Sequence, residues 1–327
     1  VEDTTSVAAG DGVAVAATGF AAGERREGDP RVYAFDVVSG RSLWAASPPA
    51  LDASLAQAIV RGQIDLAEGV VIVPMRKIAS SKRVASIHMA ALDLFTGELR
   101  WARTLGSAGW VGAQRFTKAA DSISIHDGMV YKCDELGVLA AIEAATGRVL
   151  WVRRLMSEQF GVRGESLPPW GGVKPLVIGD HIITLTPARD WILRLDRATG
   201  AIIARRPAGE LGDPIYLVAV SGWIAAVSQD RVVFVDEAFE NSEVKVLPPQ
   251  RERRLVGRAF AAGPRLMLPV TGALLSIDPA KPDTPTMVEL ERLGNTIAVD
   301  GQVITTDRYR ALSYLNWDFA DRVLTAR

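Results

Sequence analysis

The stretch VYAFDVVSGRSLW, residues 32–44, decides the fold because it returns as MAALDLFTGELRW (89–101) and as LAAIEAATGRVLW (139–151). Each copy holds an acid, a Gly four positions on and a Trp eight positions on: Asp36, Gly40, Trp44; Asp93, Gly97, Trp101; Glu143, Gly147, Trp151. A fourth copy, LRLDRATGAIIA (193–204), keeps Asp196 and Gly200 but places Ala204 where the Trp stands elsewhere. The acids lie 57, 50 and 53 residues apart. A local signature at such a period marks a modular architecture in which each repeat is one supersecondary unit and buries its apolar face against the next.

Within a copy, the alternating apolar residues before the acid predict a strand, and the Ser-Gly or Thr-Gly pair predicts the turn, because Gly takes positive φ at no steric cost. A second strand then carries the Trp. A large ring at the same place in each repeat is expected to wedge between neighbouring units.

Weaker repeats extend the count. A turn followed by a β run occurs at Asp11-Gly12, Glu68-Gly69, Asp127-Gly128, Gly179-Asp180, Ser221-Gly222, Gly263 and Asp300-Gly301, which makes seven units. The later ones are lean, with spacings of 40 and 42 residues from Asp196 to Asp236 to Asp278. The seventh lacks a fourth strand, and residues 1–5, or residues upstream of them, are expected to complete it and remove an exposed edge. An eighth unit is required only if one repeat has diverged beyond recognition. After residue 315 the period changes: Trp317, Ala320 and Leu324 fall at helical spacing behind Asn316 as N-cap. Residues 1–315 therefore read as the β domain and 316–327 as the start of a helical segment. The chain begins at Val1 without Met and is expected to be excised from a longer protein.

Composition narrows the function. A formal charge of −1 argues against a general nucleic-acid binder. Hydrophobic residues make up 48%, yet no apolar stretch approaches the roughly 18 residues that span a bilayer. The lone Cys133 cannot form an internal disulfide and reads as a small buried side chain.

The repeat, in the form ALD-x-x-TG-x-x-x-W, resembles that of the quinoprotein-like β-propellers. That family includes pyrroloquinoline quinone dehydrogenases and cofactor-free outer-membrane assembly lipoproteins of the BamB type. The resemblance implies an all-β propeller of four-stranded blades working in the periplasm or cell envelope. In the family's blade order, the loop between the middle two strands and the loop to the next blade emerge on one face. Here those loops are 18–31, 45–63, 74–86, 102–121 and 156–174, all in the first four units. They carry Arg76, Lys77, Lys82, Arg83, Arg103, Arg115 and Lys118, interspersed with Trp110, Phe116, Phe160 and Trp170. Arg and aromatic groups on a rigid frame suit a protein partner. The same loops also read as solvated connections, as does Arg251-Glu252-Arg253-Arg254 with Arg258.

An enzyme of that family would carry a central Asp base, a calcium held by carboxylate and amide groups, an Arg near the quinone, an aromatic floor and commonly an adjacent Cys pair. This chain has one Cys, and its Asn residues, Asn241, Asn295 and Asn316, all lie in lean or terminal units. Trp170 as floor and Asp190 or Asp213 as base are the residues available. His88, His126 and His181 stand apart in sequence, and no phosphate-binding Gly loop is present. The expected protein is a non-catalytic scaffold without cofactor, with a quinone-dependent oxidoreductase as the alternative.

Overall fold

The computed structural model describes residues 4–18, 30–79, 84–109, 122–134, 136–155, 172–229, 231–239, 245–246, 254–291, 293–299, 302–306 and 311–315. They form seven successive antiparallel sheets, each running from its first strand to its last in chain order. This up-and-down sheet is the blade of a β-propeller. The expected helix at 316–327 lies outside the described residues. Helix among the described residues is confined to single turns such as Pro48–Leu51, Ala53–Leu55 and Ala208–Leu211.

The chain divides into two compact units, Val1–Arg205 and Arg206–Arg327. In the first unit, sheet one comprises Thr4–Gly10, Val13–Thr18, Val32–Asp36 and Ser42–Ala46. Sheet three comprises Ser122–His126, Met129–Cys133, Val138–Glu143 and Val149–Arg154. Sheet four comprises Leu176–Ile178, His181–Leu185, Trp191–Asp196 and Ile202–Pro207. Sheet two is larger and is described below. The middle strands of sheets two and three are buried on both faces because neighbouring sheets cover both. Val71, Val73, Ala90 and Leu92 pack toward sheet one with Val13, Val15 and Ala34, whereas Ile72, Met89 and Ala91 pack toward sheet three with Val130, Ala140 and Ile142. A third cluster joins sheets three and four through Tyr131, Cys133, Leu139, Ile182 and Leu195.

Two-residue turns with both φ positive, at Asp11-Gly12, Glu68-Gly69 and Asp127-Gly128, join the first two strands of sheets one to three. Such turns match the natural twist of a hairpin. Thr4 pairs with Thr18 across the first of them, so residues 4 and 5 belong to the first strand of sheet one. The expected role of residues 1–5 in completing the last sheet is thereby corrected for these two: the hairpin at Asp11-Gly12 claims them locally. That last sheet, Asn295–Val299, Gln302–Thr306 and Ala311–Leu315, has three strands among the described residues.

The repeated Trp residues do wedge between sheets, and the contact is specific. The indole N–H of Trp44 donates to Leu94 O at 2.9 Å, that of Trp101 to Ala144 O at 2.8 Å, and that of Trp151 to Arg197 O at 3.0 Å. Each acceptor follows the acid of the next repeat by one residue. The ring lies over the turn Gly of that repeat: a Cβ at Gly97, Gly147 or Gly200 would stand 2.5–2.7 Å from Trp44, Trp101 or Trp151. Glycine is therefore required twice, for positive φ and for the approach of the ring. The acid fixes the same turn from inside. Asp93 Oδ1 accepts from the N–H groups of Phe95 and Thr96, and Asp196 Oδ1 accepts from the N–H and hydroxyl of Thr199.

Candidate partner-binding face

In the first unit the turns gather at one end. Val37 N–H donates to Gly12 O, Leu94 N–H to Gly69 O, Ala144 N–H to Gly128 O and Arg197 N–H to Asp180 O, tying the first turn of each sheet to its last. Antiparallel order sends the remaining two connections to the opposite end, the loop end.

Sheet two dominates that end. Its strands Val70–Ala79, Val84–Asp93 and Leu99–Gly109 have 10, 10 and 11 residues, where the other middle strands of the unit have five or six. Pairing continues through Arg76↔Ile87, Lys77↔Ser86, Ile78↔Ala85 and Ala79↔Val84, and on the other side through Ile87↔Gly106 to Val84↔Gly109. Within the segments 74–86 and 102–121, expected as loops, the described residues 74–79, 84–86 and 102–109 form a three-stranded ribbon: the ladder hydrogen bonds carry on past the apolar run. The first strand of the sheet is broken into Ile59–Val60 and Asp65–Ala67 around Gly62, whose φ is +139°.

Charged side chains are buried beside this ribbon. Pairing of Ile59 with Arg76 and donation of Arg61 N–H to Pro74 O put Arg61 and Arg76 on the sheet-two face that turns to sheet three. Lys132 lies opposite Ala140 on the facing side of sheet three, and Asp134 follows two residues on. Arg61, Arg76, Lys132 and Asp134 are all at most 5% exposed. On the other face of sheet two, His88 is held between Ser86 Oγ, 2.8 Å from Nε2, and Thr104 Oγ1, 3.1 Å from Nδ1. Burial, and then the Lys77 charge, hold its imidazole below the usual 6.5.

The expected rim residues are dispersed by these facts. Arg76 is buried, which removes its side chain from any exposed rim. Lys77 is half-buried and Arg103 is exposed. Arg103 donates from Nε to Gly147 O at 2.8 Å and from Nη2 to Thr146 O at 3.4 Å. It works beside Trp101 on the turn of the next sheet, and Arg153 repeats the arrangement on Gly200 O and Thr199 O at 3.0 and 3.1 Å. The W-x-R spacing shared by Trp101-Arg103 and Trp151-Arg153 carried that signal. Lys82, Arg83, Trp110, Arg115, Phe116, Lys118, Phe160 and Trp170 lie outside the described residues.

The residues of the dehydrogenase inventory that are described lie apart. Cys133 is buried in the core. His88, His126 and His181 sit in three different sheets. Asp190 accepts from Thr186 Oγ1 at 2.5 Å in a local turn. Among the described residues no three His, Cys, Asp or Glu side chains come together as a metal-holding group.

Comparison with known proteins shows the fold and the family. Two solved structures share the fold. The structure of BamB from Moraxella catarrhalis matches with a TM-score of 0.63 and 14% identity, over 97% of this chain and 84% of that one. A europium-containing methanol dehydrogenase matches with a TM-score of 0.57 and 12% identity, over 91% of this chain and 72% of that one. In sequence, a tetrathionate hydrolase of Acidithiobacillus ferrooxidans is 25% identical over 204 residues, 61% of this chain. That match spans only 39% of the hydrolase. The family model for the outer membrane protein assembly factor BamB matches residues 28–211, more than half of the chain. With its Asp-Gly-Trp repeats, clamped turns and four-stranded blades, the chain belongs to the BamB family of β-propellers.

Proposed function

We propose that this chain is a non-catalytic propeller of the bacterial cell envelope whose loop end, in the unit Val1–Arg205, holds a protein partner. The observation that carries this reading is the ribbon of sheet two, which extends the longest strands of the unit at the loop end. A paired ribbon is stiffer than a loop of the same length and presents the exposed residues of its strands with little ordering cost. Its far end carries Lys77, Ile78, Ser107 and Gly109 at least partly exposed. Lys82 and Arg83 add positive charge in sequence between the two inner strands. Membership of a family described as an assembly factor supports the same reading.

Charge reversal at Lys77, Lys82 and Arg83 together is the test. Capture of envelope partners by the purified chain should fall at least about tenfold, equivalent to about 1.4 kcal/mol. Unchanged capture rejects the ribbon as the contact.

A redox or hydrolytic reading is favoured by two relatives, the methanol dehydrogenase in fold and the tetrathionate hydrolase in sequence. Titration with pyrroloquinoline quinone and calcium, followed by tryptophan fluorescence and dye reduction, separates it from the scaffold. Saturable quenching with turnover would replace the scaffold by an enzyme.

A further inference from the structure

Among the described residues the last strand of each sheet has one neighbour, so about half of its N–H and C=O groups face outward as a template for another strand. Native edges are usually guarded by charge, bulges or shortness. In the first unit the guard differs from sheet to sheet. The edge of sheet two, Leu99–Gly109, exposes Arg100, Arg103, Thr104 and Ser107. The edge of sheet one, Ser42–Ala46, exposes Ser42 and Ala45.

In sheets three and four the edges expose apolar residues as well, beside the bulge at Leu150 and the two arginines of the strand Val149–Arg154. Val149, Leu150 and Val152 on one edge and Ile202 and Ile203 on the other are each between 37% and 55% exposed. The first edge is tied to the turn that leads into the second, because Trp151 covers Gly200 and Arg153 bonds Thr199 O and Gly200 O just before Ile202. Charge on them has one sign. The strands Val149–Arg154 and Ile202–Pro207 hold Arg153, Arg154, Arg205 and Arg206 and no Asp or Glu. Arg206 is occupied by Glu210 at 3.3 Å, and Arg205 lies 5.0 Å from the Trp191 ring centroid. Arg154 is exposed beside the apolar group.

We propose that these two edges form a docking site, separate from the loop end, for an extended segment of a partner protein whose apolar residues are flanked by Asp or Glu. The segment adds as a strand to the edge Val149–Arg154. Backbone pairing supplies affinity, Val149, Leu150 and Val152 receive its apolar side chains, and Arg154 selects its acidic flanks. Like-charge contact rejects basic segments.

The probe is a fluorescein-labelled synthetic peptide with Val-Thr-Val-Phe between paired Glu residues. Two controls accompany it, one with Lys for Glu and one with alternate backbone amides methylated. The Glu peptide should bind saturably and slow amide exchange across Val149–Arg154. The Lys and methylated peptides should each bind at least about tenfold more weakly. Leu150→Lys and Arg154→Glu should weaken the Glu peptide by a similar factor while leaving the Tm unchanged, which separates lost docking from misfolding. Three results overturn the proposal: no saturable binding, equal binding of the Glu and Lys peptides, or self-association of the chain that Arg154→Glu abolishes, which would assign the edge to a second copy. Charge reversal at Lys77, Lys82 and Arg83 should leave this binding intact, so failure here and failure of the ribbon are read independently.

Discussion

The units Val1–Arg205 and Arg206–Arg327 are built from the same antiparallel sheet but are locked by different means. In the first, every repeated Trp donates to a backbone carbonyl of the next repeat and lies on its turn Gly. In the second, the corresponding devices are individual. Tyr216 is buried, accepts the Ala259 N–H at 2.9 Å and carries Arg258 at 4.7 Å over its ring, while Arg231 covers Gly212. Gly222 and Gly272 keep positive φ and have nothing within 4 Å of a Cβ position, as do Gly12, Gly40 and Gly69 in the first unit. The lesson is that one sheet topology tolerates several locks, and only the one reused without change leaves a period in the sequence.

The comparison breaks most visibly at the ring itself. Trp101→Ala should destabilise the chain by roughly 3–5 kcal/mol through lost burial and an orphaned Ala144 carbonyl, measured by urea unfolding. Trp44→Ala should cost less, because Trp44 is only half-buried. Next comes the turn. Gly147→Ala meets both a φ of +69° and the Trp101 ring, whereas Gly222→Ala meets a φ of +76° alone. About 1 kcal/mol is expected for the backbone term in each, with roughly 1–3 kcal/mol more at Gly147 from overpacking. Equal losses at the two sites would show that the ring does not constrain the turn.

Tyr216→Phe, in the second unit, should cost about 1 kcal/mol by leaving the buried Ala259 N–H without its acceptor. Burial pushes the Tyr216 hydroxyl up to about 12. Because the folded-state value is raised, its contribution holds below pH 10 and fades as pH rises toward 12, a loss the Phe variant should lack. The smallest effect concerns Asp93. Its hydrogen bond with Arg100, at 2.5 Å, joins donation from the Thr96 and Phe95 amides to bring the carboxyl from 3.8 to about 2. A depressed folded-state value gives stability that is present above pH 4 and lost as pH falls toward 2. Asp93→Asn should flatten the acid limb of the unfolding curve in that window.

The contrast between the units also explains what the sequence could carry. Trp44, Trp101 and Trp151 were legible because one physical contact recurs with one spacing, and the seven units followed from their turns. The ribbon was not legible: Pro74, Arg76 and Lys77 look like the start of a loop, and nothing local shows that Ile87 and Gly106 continue the ladder beside them. Arg76 and Arg103 illustrate the limit for the site. Both read as exposed cations, yet one is buried between sheets and the other is spent on a turn. Arg258, read as part of a surface connection, stacks on Tyr216 instead. A basic side chain in a strand borrows its role from the neighbouring sheet, which no local pattern encodes.

The most direct measurement places a photo-crosslinking residue at Ile78, on the ribbon, and separately at Met287, an exposed residue of the second unit. Irradiation in cells producing the chain should give a discrete protein adduct from position 78 and none from position 287. Adducts only from position 287, or none from either, would contradict a partner held at the loop end of the first unit.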